Sequence, residues 1–470
     1  MFHIAKVCLQ VLNTSSPNSK EQTVVVACFE SIDTRSNLET GFEKIRESIE
    51  KLNNSTWNGK KVVLTLFGDY QFLCNSFGIS GACGKYPCLW CHISKENIQI
   101  EDNWKDCENR SLETLEHNLE QFKNSGQKLK NAKECFNVIN RPILAIYIDM
   151  VCPPYLHILL GIVKKHHDLY MIHSTKIDEK VGNFLAKNGS TFGKNKQFLA
   201  FIGDYSKYLD LLKKQNETTS AVEKAMSKKC TKKTQVLKSK YSELQDEIDN
   251  SKESLVLEVN QGPISSSVDQ ILQKHRITVQ SYHSRSFTGN HCHKYLDQKI
   301  NPKICDHVHI ECKNILSQFN GDAKKVHAIL EKAKEVSELF KELNHKFARV
   351  HNSISHCLPI AEEEAVEIEQ YICDYLRFFR EKIGYQIIPK QHFLEAHVMP
   401  WIRKWQVGLG LHGEQGCEST HAIFNSLKHS MRSVHHPLQN LKLTMREHHV
   451  RTSPGLTSTL PKSMRRRLFD

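Results

Sequence analysis

Two short motifs carry the residue types from which metal sites are made. Cys88-Leu-Trp-Cys91, in GKYPCLWCH, presents two thiols, and His392-x4-His397, in PKQHFLEAHVMPW, presents two imidazoles. Thiolate sulfur and imidazole nitrogen are the donors of closed four-ligand zinc sites, and this histidine spacing lets both rings reach one ion from a helix end or turn. Thiol–disulfide exchange is the rival use of Cys-x-x-Cys, but it wants the pair on the first turn of a helix straight after a strand. Here a Gly-rich turn and Pro87 lead in instead. Cys305, His307, His309 and Cys312, in CDHVHIEC, form a second possible cluster. For all of these residues the plain alternative is a buried thiol acting as a small apolar side chain, or a packing histidine.

A second kind of chemistry is suggested by acids. Asp69 follows the apolar run KVVLTLFG. A carboxylate at the tip of a strand, facing another on a helix, can hold magnesium for phosphoryl transfer. The helix that would answer it begins in GLGLHGEQGCESTHAIFNSLK, where Glu418, His421 and Asn425 fall near one face. Lys428, His429, Arg432, Lys442, Arg446 and Arg451 follow as a basic stripe suited to phosphates. Taken singly, Glu414 or Glu418 reads as an acid placed at a helix N-terminus by the macrodipole.

The elements that must position these groups are legible as periodicity. Residues 2–13 and 23–30 alternate as two strands around a polar turn, 37–54 repeats apolar residues at helical spacing, and 61–67 is an apolar strand. Segments 70–78, 104–140, 303–349 and 359–384 are predicted helical, and the lysine-rich 205–258 reads as a long helical hairpin. PGLTSTLPKSMRRRLFD reads as a flexible basic tail. The chain has 470 residues, 39% hydrophobic and 25% charged, as befits a globular protein of two or more units. No run of about eighteen apolar residues argues for a membrane span, and the opening FHIAKVCLQVLN reads as a strand, not a leader. Its net charge of +12 favours an anionic partner, nucleic acid first. Sixteen cysteines and 26 histidines favour reduced thiols and metal ligation over a disulfide framework.

Taken in order, the motifs resemble the catalytic core of the recombination-activating protein family and the Transib-like DDE transposases. LTLFGDYQFL followed by CLWC is similar to the second catalytic Asp and the first zinc half-site of that family. HFLEAH resembles its second zinc half-site, and GEQGCESTHAIFNSLK the helix bearing its last catalytic Glu. IDMVCPPYLHILLGI and RSFTGNHCHKYL are similar to its Asp-x-x-His-x-x-x-Gly and Gly-Asn segments.

The resemblance implies an α+β protein: a ribonuclease-H-like core with a mixed sheet, interrupted by a large, mostly α-helical, zinc-containing insertion. Residues 1–85 would be the first part of the core, 86–400 the insertion, 401–452 the segment of the catalytic Glu, and 453–470 the tail. Asp69 and Glu418 would hold catalytic Mg²⁺ or Mn²⁺, and Cys88, Cys91, His392 and His397 structural Zn²⁺. Asn290, His293, Lys294, Lys428 and Arg432 would contact DNA. The sequence departs from the family in lacking a first strand with its Asp ahead of residues 2–30. The expectation is a nuclear, transposase-derived, domesticated or truncated DNA-binding protein with impaired DNA cleavage and strand transfer, of a kind that commonly acts as a homodimer. A non-catalytic, zinc-stabilised nucleic-acid-binding or interaction protein is the alternative.

Overall fold

A computed structural model describes residues 4–14, 22–30, 34–187, 231–257, 262–280, 286–318 and 322–453, with scattered positions between 197 and 225. The basic tail beyond 453 and most of the turn after residue 13 lie outside the described residues, as does part of the 205–258 hairpin. The fold is mixed α+β and mostly helical. Its sheets, among the described residues, are two antiparallel pairs. The chain divides into two compact units, one of residues 1–162 with 349–470 and one of residues 163–348.

In the first unit, β1 (Ile4–Gln10) pairs with β2 (Thr23–Glu30), with a register shift between Val7 and Cys8. The segment expected as one helix over 37–54 is two, α1 (Arg35–Glu43) and α2 (Arg46–Asn53), broken at Lys44 and Ile45. Leu38 and Phe42 of α1 are buried with Ile143, Leu144 and Ile146. Val7, Leu66 and Phe72 pack on that cluster.

The apolar run at 61–67 does not become a ladder. Lys60–Lys61 pairs with Thr56–Trp57 in a two-residue hairpin, and further on Leu66 alone bridges Val151 in parallel. Leu66 N donates to Met150 O at 2.9 Å, and Cys152 N to Leu66 O at 2.8 Å. Past Leu66 the next amide of that ladder would belong to Pro154, which has no N–H, and before it Met150 N is spent on Tyr147 O in the 3-10 turn Ile148–Met150, so the pairing is limited to one bridge.

Helix α3 (Tyr70–Phe77) starts immediately after, and Gly78, at φ 74°, ends it in a left-handed turn. Within 104–140, only α4 (Leu112–Asn124) is α-helical, closed at its start by a Ser111–Thr114 capping box. The last third of the unit holds α5 (Glu362–Phe378), α6 (Pro389–Ala396), α7 (Val398–Trp405), α8 (Gln415–Ser430) and α9 (Pro437–Thr452).

The second unit is helical among its described residues. Helix Asn301–Leu316 buries Ile304, Cys305, Val308, Cys312 and Ile315 along one stripe. The Tyr170 hydroxyl donates to the carbonyl of Ile304 at 2.9 Å. Asp178, fully buried, accepts from Ile264 N at 2.7 Å and Ser265 N at 2.8 Å, closing the start of helix Pro263–Ser266. No helix among the described residues is long and apolar enough to cross a membrane.

Candidate metal centre and acidic pocket

Cys88, Cys91, His392 and His397 meet. One donor atom from each lies within 4.8 Å of all the others, the group of three or more metal-donor residues found among the described residues. Cys88 Sγ is 3.2 Å from His397 Nε2, and Cys91 Sγ is 3.4 Å from His392 Nε2. With Zn–S near 2.3 Å and Zn–N near 2.0–2.1 Å, two ligands on a tetrahedral ion sit roughly 3.5 Å apart. The donor set and the spacing therefore suit zinc.

Local sequence explains the approach. His392 lies within α6, whose start is fixed by Pro389, and His397 is the residue at which α6 ends and α7 begins. The break turns the second imidazole toward the first, with ring centroids 5.1 Å apart. On the cysteine side, Trp90 N points at Cys88 Sγ at 3.4 Å, and the Trp90 ring stacks on His397. Arg110, buried to 4% exposure, ties the loop from beneath. Its Nε donates to the carbonyls of Cys88 (3.0 Å) and Cys91 (3.2 Å), and a terminal nitrogen donates to that of Phe136 at 2.8 Å.

Burial lowers both imidazoles, His397 to about 3, although some of its surface opens on a neighbouring cavity of about 250 Å³. Near neutral pH both rings are therefore in the unprotonated, ligand-competent form. A hydrogen bond with Cys107 draws the Cys91 thiol down, but Cys88 and burial outweigh it and leave the thiol raised.

The rival cluster does not form. Cys305 and Cys312 face the core, whereas His307 turns aside to Ser267 Oγ at 2.9 Å. Positions 305, 307, 309 and 312 of one helix do not share a face.

Asp69 and Glu418 line one pocket of about 220 Å³, together with Glu414, Cys417 and His421. Asp69 is the N-cap of α3: its Oδ1 accepts from Phe72 N at 2.8 Å. Glu414, which immediately precedes α8, is 2% exposed. Its Oε1 accepts from the backbone N (3.2 Å) and Nδ1 (2.9 Å) of His157, while its buried Oε2 has no hydrogen-bond partner. His157 lies in the first turn of helix Tyr155–Lys187, so through His157 N Glu414 also satisfies one of that helix's orphan amides.

Burial alone would lower the His157 imidazole, but its bond to Glu414 and the carboxylate charges raise it overall. Glu418 exposes its surface area yet sits in a concave wall. Desolvation there, with Glu414 and Asp69 adding to it, raises its carboxyl against the opposing pull of His157 and Lys6. Glu414 and His157 were not singled out from sequence as a pair; the Cys-Pro-Pro-Tyr helix start was the available signal.

The two sites are connected through α3. Tyr70, next to Asp69, donates its hydroxyl to the carbonyl of Pro87, which precedes Cys88. Its ring packs on Phe393, 4.6 Å between centroids, beside His392. Trp90 Nε1 donates to Val151 O at 3.2 Å, on the same short bridge that holds Leu66.

Of the expected DNA-contacting residues, Asn290 and His293 are exposed and Lys294 is half-buried, its ammonium 3.2 Å from Arg276 O, all on helix Gly289–Leu296 of the second unit. Lys428 and Arg432 lie in the first unit, at the end of α8 and just past it, and Lys442 and Arg446 are exposed on α9. A comparison with protein-family models and with curated proteins finds no match to this chain.

Proposed function

We propose that this chain is a transposase-derived DNA-binding protein. Its core is ribonuclease-H-like, its Cys88/Cys91/His392/His397 cluster holds structural zinc, and Asp69 and Glu418 belong to a divalent-metal site. The observation that carries the reading is a double convergence. A thiol pair and an imidazole pair some 300 residues apart meet in one cluster, and the segment holding Asp69 is tied to that cluster while Asp69 shares a pocket with Glu418. An interaction protein with no catalytic past has no need of the second convergence.

A divalent ion bound there would activate water for phosphodiester cleavage and stabilise the leaving oxygen. The chain's own residues would orient it: Asp69 is fixed by its capping bond, and Glu414 is held by His157. Half-buried Lys428 on α8, exposed Arg432 just past it and exposed Lys442, Arg446 and Arg451 on α9, with the net charge of +12, supply the phosphate-contacting surface. Asn290, His293 and Lys294 are the further contacts, and a nuclear residence follows from the substrate.

One observation favours the rival, a zinc-stabilised nucleic-acid-binding protein without catalysis. Asp69, Glu414 and Glu418 share a pocket but do not gather as a group within 4.8 Å as the zinc donors do. The test is binding of the purified chain to duplex DNA across salt, combined with Mn²⁺ titration. DNA affinity that falls steeply with salt, and Mn²⁺ binding lost in Asp69→Asn and in Glu418→Gln, support the transposase reading. DNA binding with no Mn²⁺ site favours the rival, and failure to bind DNA at low salt overturns both.

A further inference from the structure

Cys8 and Cys417 are free thiols whose sulfurs lie 3.0 Å apart, in the lining of the acidic pocket. They come from β1 and from the first turns of α8. We propose that Cys8 and Cys417 form a reversible disulfide in the lining of this pocket, a modification site beside Glu418. The proposal stands on the two elements alone and does not depend on the nuclease reading.

The approach of the two sulfurs belongs to a register. Lys6 Nζ lies 2.7 Å from His421 Nδ1, so residues 6 and 8 of the strand meet residues 421 and 417 of the helix in opposite directions. Two strand residues span about 6.6–6.8 Å and four helix residues about 6 Å, so the contacts repeat in step. Lys6 also stands 4.9 Å over the Phe424 ring, a third contact of the same seam. A disulfide needs sulfurs about 2.05 Å apart, so a closing movement of roughly 1 Å suffices. Both cysteines are partly exposed, within reach of a small oxidant.

With hydrogen peroxide, one thiolate attacks an oxygen and expels hydroxide, which takes up the proton that thiol released and becomes water, leaving a sulfenic acid. The second thiol then displaces the sulfenic hydroxyl, which leaves as water with that thiol's proton as the S–S bond forms. Two thiols and one peroxide thus become one disulfide and two waters. With a low-molecular-weight disulfide as oxidant, two reduced thiols leave instead. The bond would fix β1 against α8 and hold Glu418, the adjacent residue, in one position.

The full chain, zinc-loaded to shield Cys88 and Cys91, is treated with glutathione disulfide or hydrogen peroxide, alkylated and mapped by non-reducing peptide mass spectrometry. The expected result is a linked pair of peptides bearing Cys8 and Cys417, two hydrogens lighter than their sum. It should exceed every other cysteine pair at least ten-fold and disappear with dithiothreitol. In Cys417→Ser the link is lost and Cys8 takes up glutathione singly. Recovery of Cys8 and Cys417 separately alkylated, or each carrying its own glutathione in the unsubstituted chain, overturns the proposal. The wild-type map decides even if the variant fails to fold.

Discussion

The Cys₂His₂ cluster and the acidic pocket are built from neighbouring stretches of chain, 88–91 with 392–397 and 64–72 with 414–421, yet their assembly has gone to different lengths. The sulfurs and ring nitrogens stand at about the mutual distances that a tetrahedral ion imposes, enclosed by Trp90, Phe393 and the buried Arg110. The carboxylates occupy separate walls of a pocket, two of them engaged by protein donors: Asp69 by Phe72 N and Glu414 by His157. The contrast follows from charge. Neutral imidazoles and thiols can be packed together before an ion arrives, whereas carboxylates repel one another until a cation neutralises them.

The largest effect should separate the sites outright. Cys88→Ser or His397→Ala should abolish zinc, read as roughly one metal per chain in the wild type. It should lower stability by about 3–5 kcal/mol, roughly 10 °C in melting temperature. Because Tyr70 and Trp90 tie the loop to Asp69 and Val151, these variants should also weaken Mn²⁺ binding, whereas Glu418→Gln should leave zinc untouched. Zinc loss with an unchanged pocket would break the coupling.

Next in size is Arg110→Met, which strips three carbonyls of their charged donor and should cost about 3 kcal/mol by urea unfolding. Its zinc affinity should fall with the ligands all still present.

Acid and alkali should act on the two sites in opposite directions. His397, held down at about 3, and His392, also lowered, bind protons in the unfolded chain near 6.5 but not when folded. The stability they contribute is present above about pH 6.5 and is lost as pH falls from there toward 3. His157 is raised, so its pairing with Glu414 is fully present below about 6.5 and is lost as pH rises through the raised value. Imidazole NMR titration of His157 checks this, and Glu414→Gln should return its midpoint to about 6.5 or below.

The smallest effect is the most discriminating. Asp69→Asn keeps a good N-cap and should change stability by less than about 0.5 kcal/mol, while Asp69→Ala should cost about 1 kcal/mol. If Mn²⁺ binding survives in the Asn variant, Asp69 is a cap and nothing more.

What the sequence could announce was what local pattern encodes. Cys-x-x-Cys and His-x4-His each look like half of a site, and only their joint presence suggested the convergence that the fold displays. The strand at 23–30 and the helix over 70–78 were legible in local pattern, whereas the capping role of Asp69, read from sequence only as a metal-binding acid, emerged with the fold. The 61–67 run stops at one bridge because its partner, far along the chain, spends Met150 N on Tyr147 O in a tight turn on one side and has the N–H-less Pro154 on the other, which no reading of 61–67 alone could supply. Arg110, Glu414 with His157, and Cys8 with Cys417 were hidden for the same reason. Their partners lie on other elements, and a single Arg, Glu or Cys carries no periodic signature.

The separation of the two halves of the candidate metal site also sets an order of events at birth. Some 301 residues part Cys91 from His392, which at 5–20 residues per second is roughly 15–60 s of synthesis. Throughout that interval the nascent chain displays a naked dithiol with no imidazole yet made to answer it. A translating ribosome thus holds a thiol pair open to scavenged metal and to oxidation, until the last fifth of the polypeptide emerges and closes the clasp.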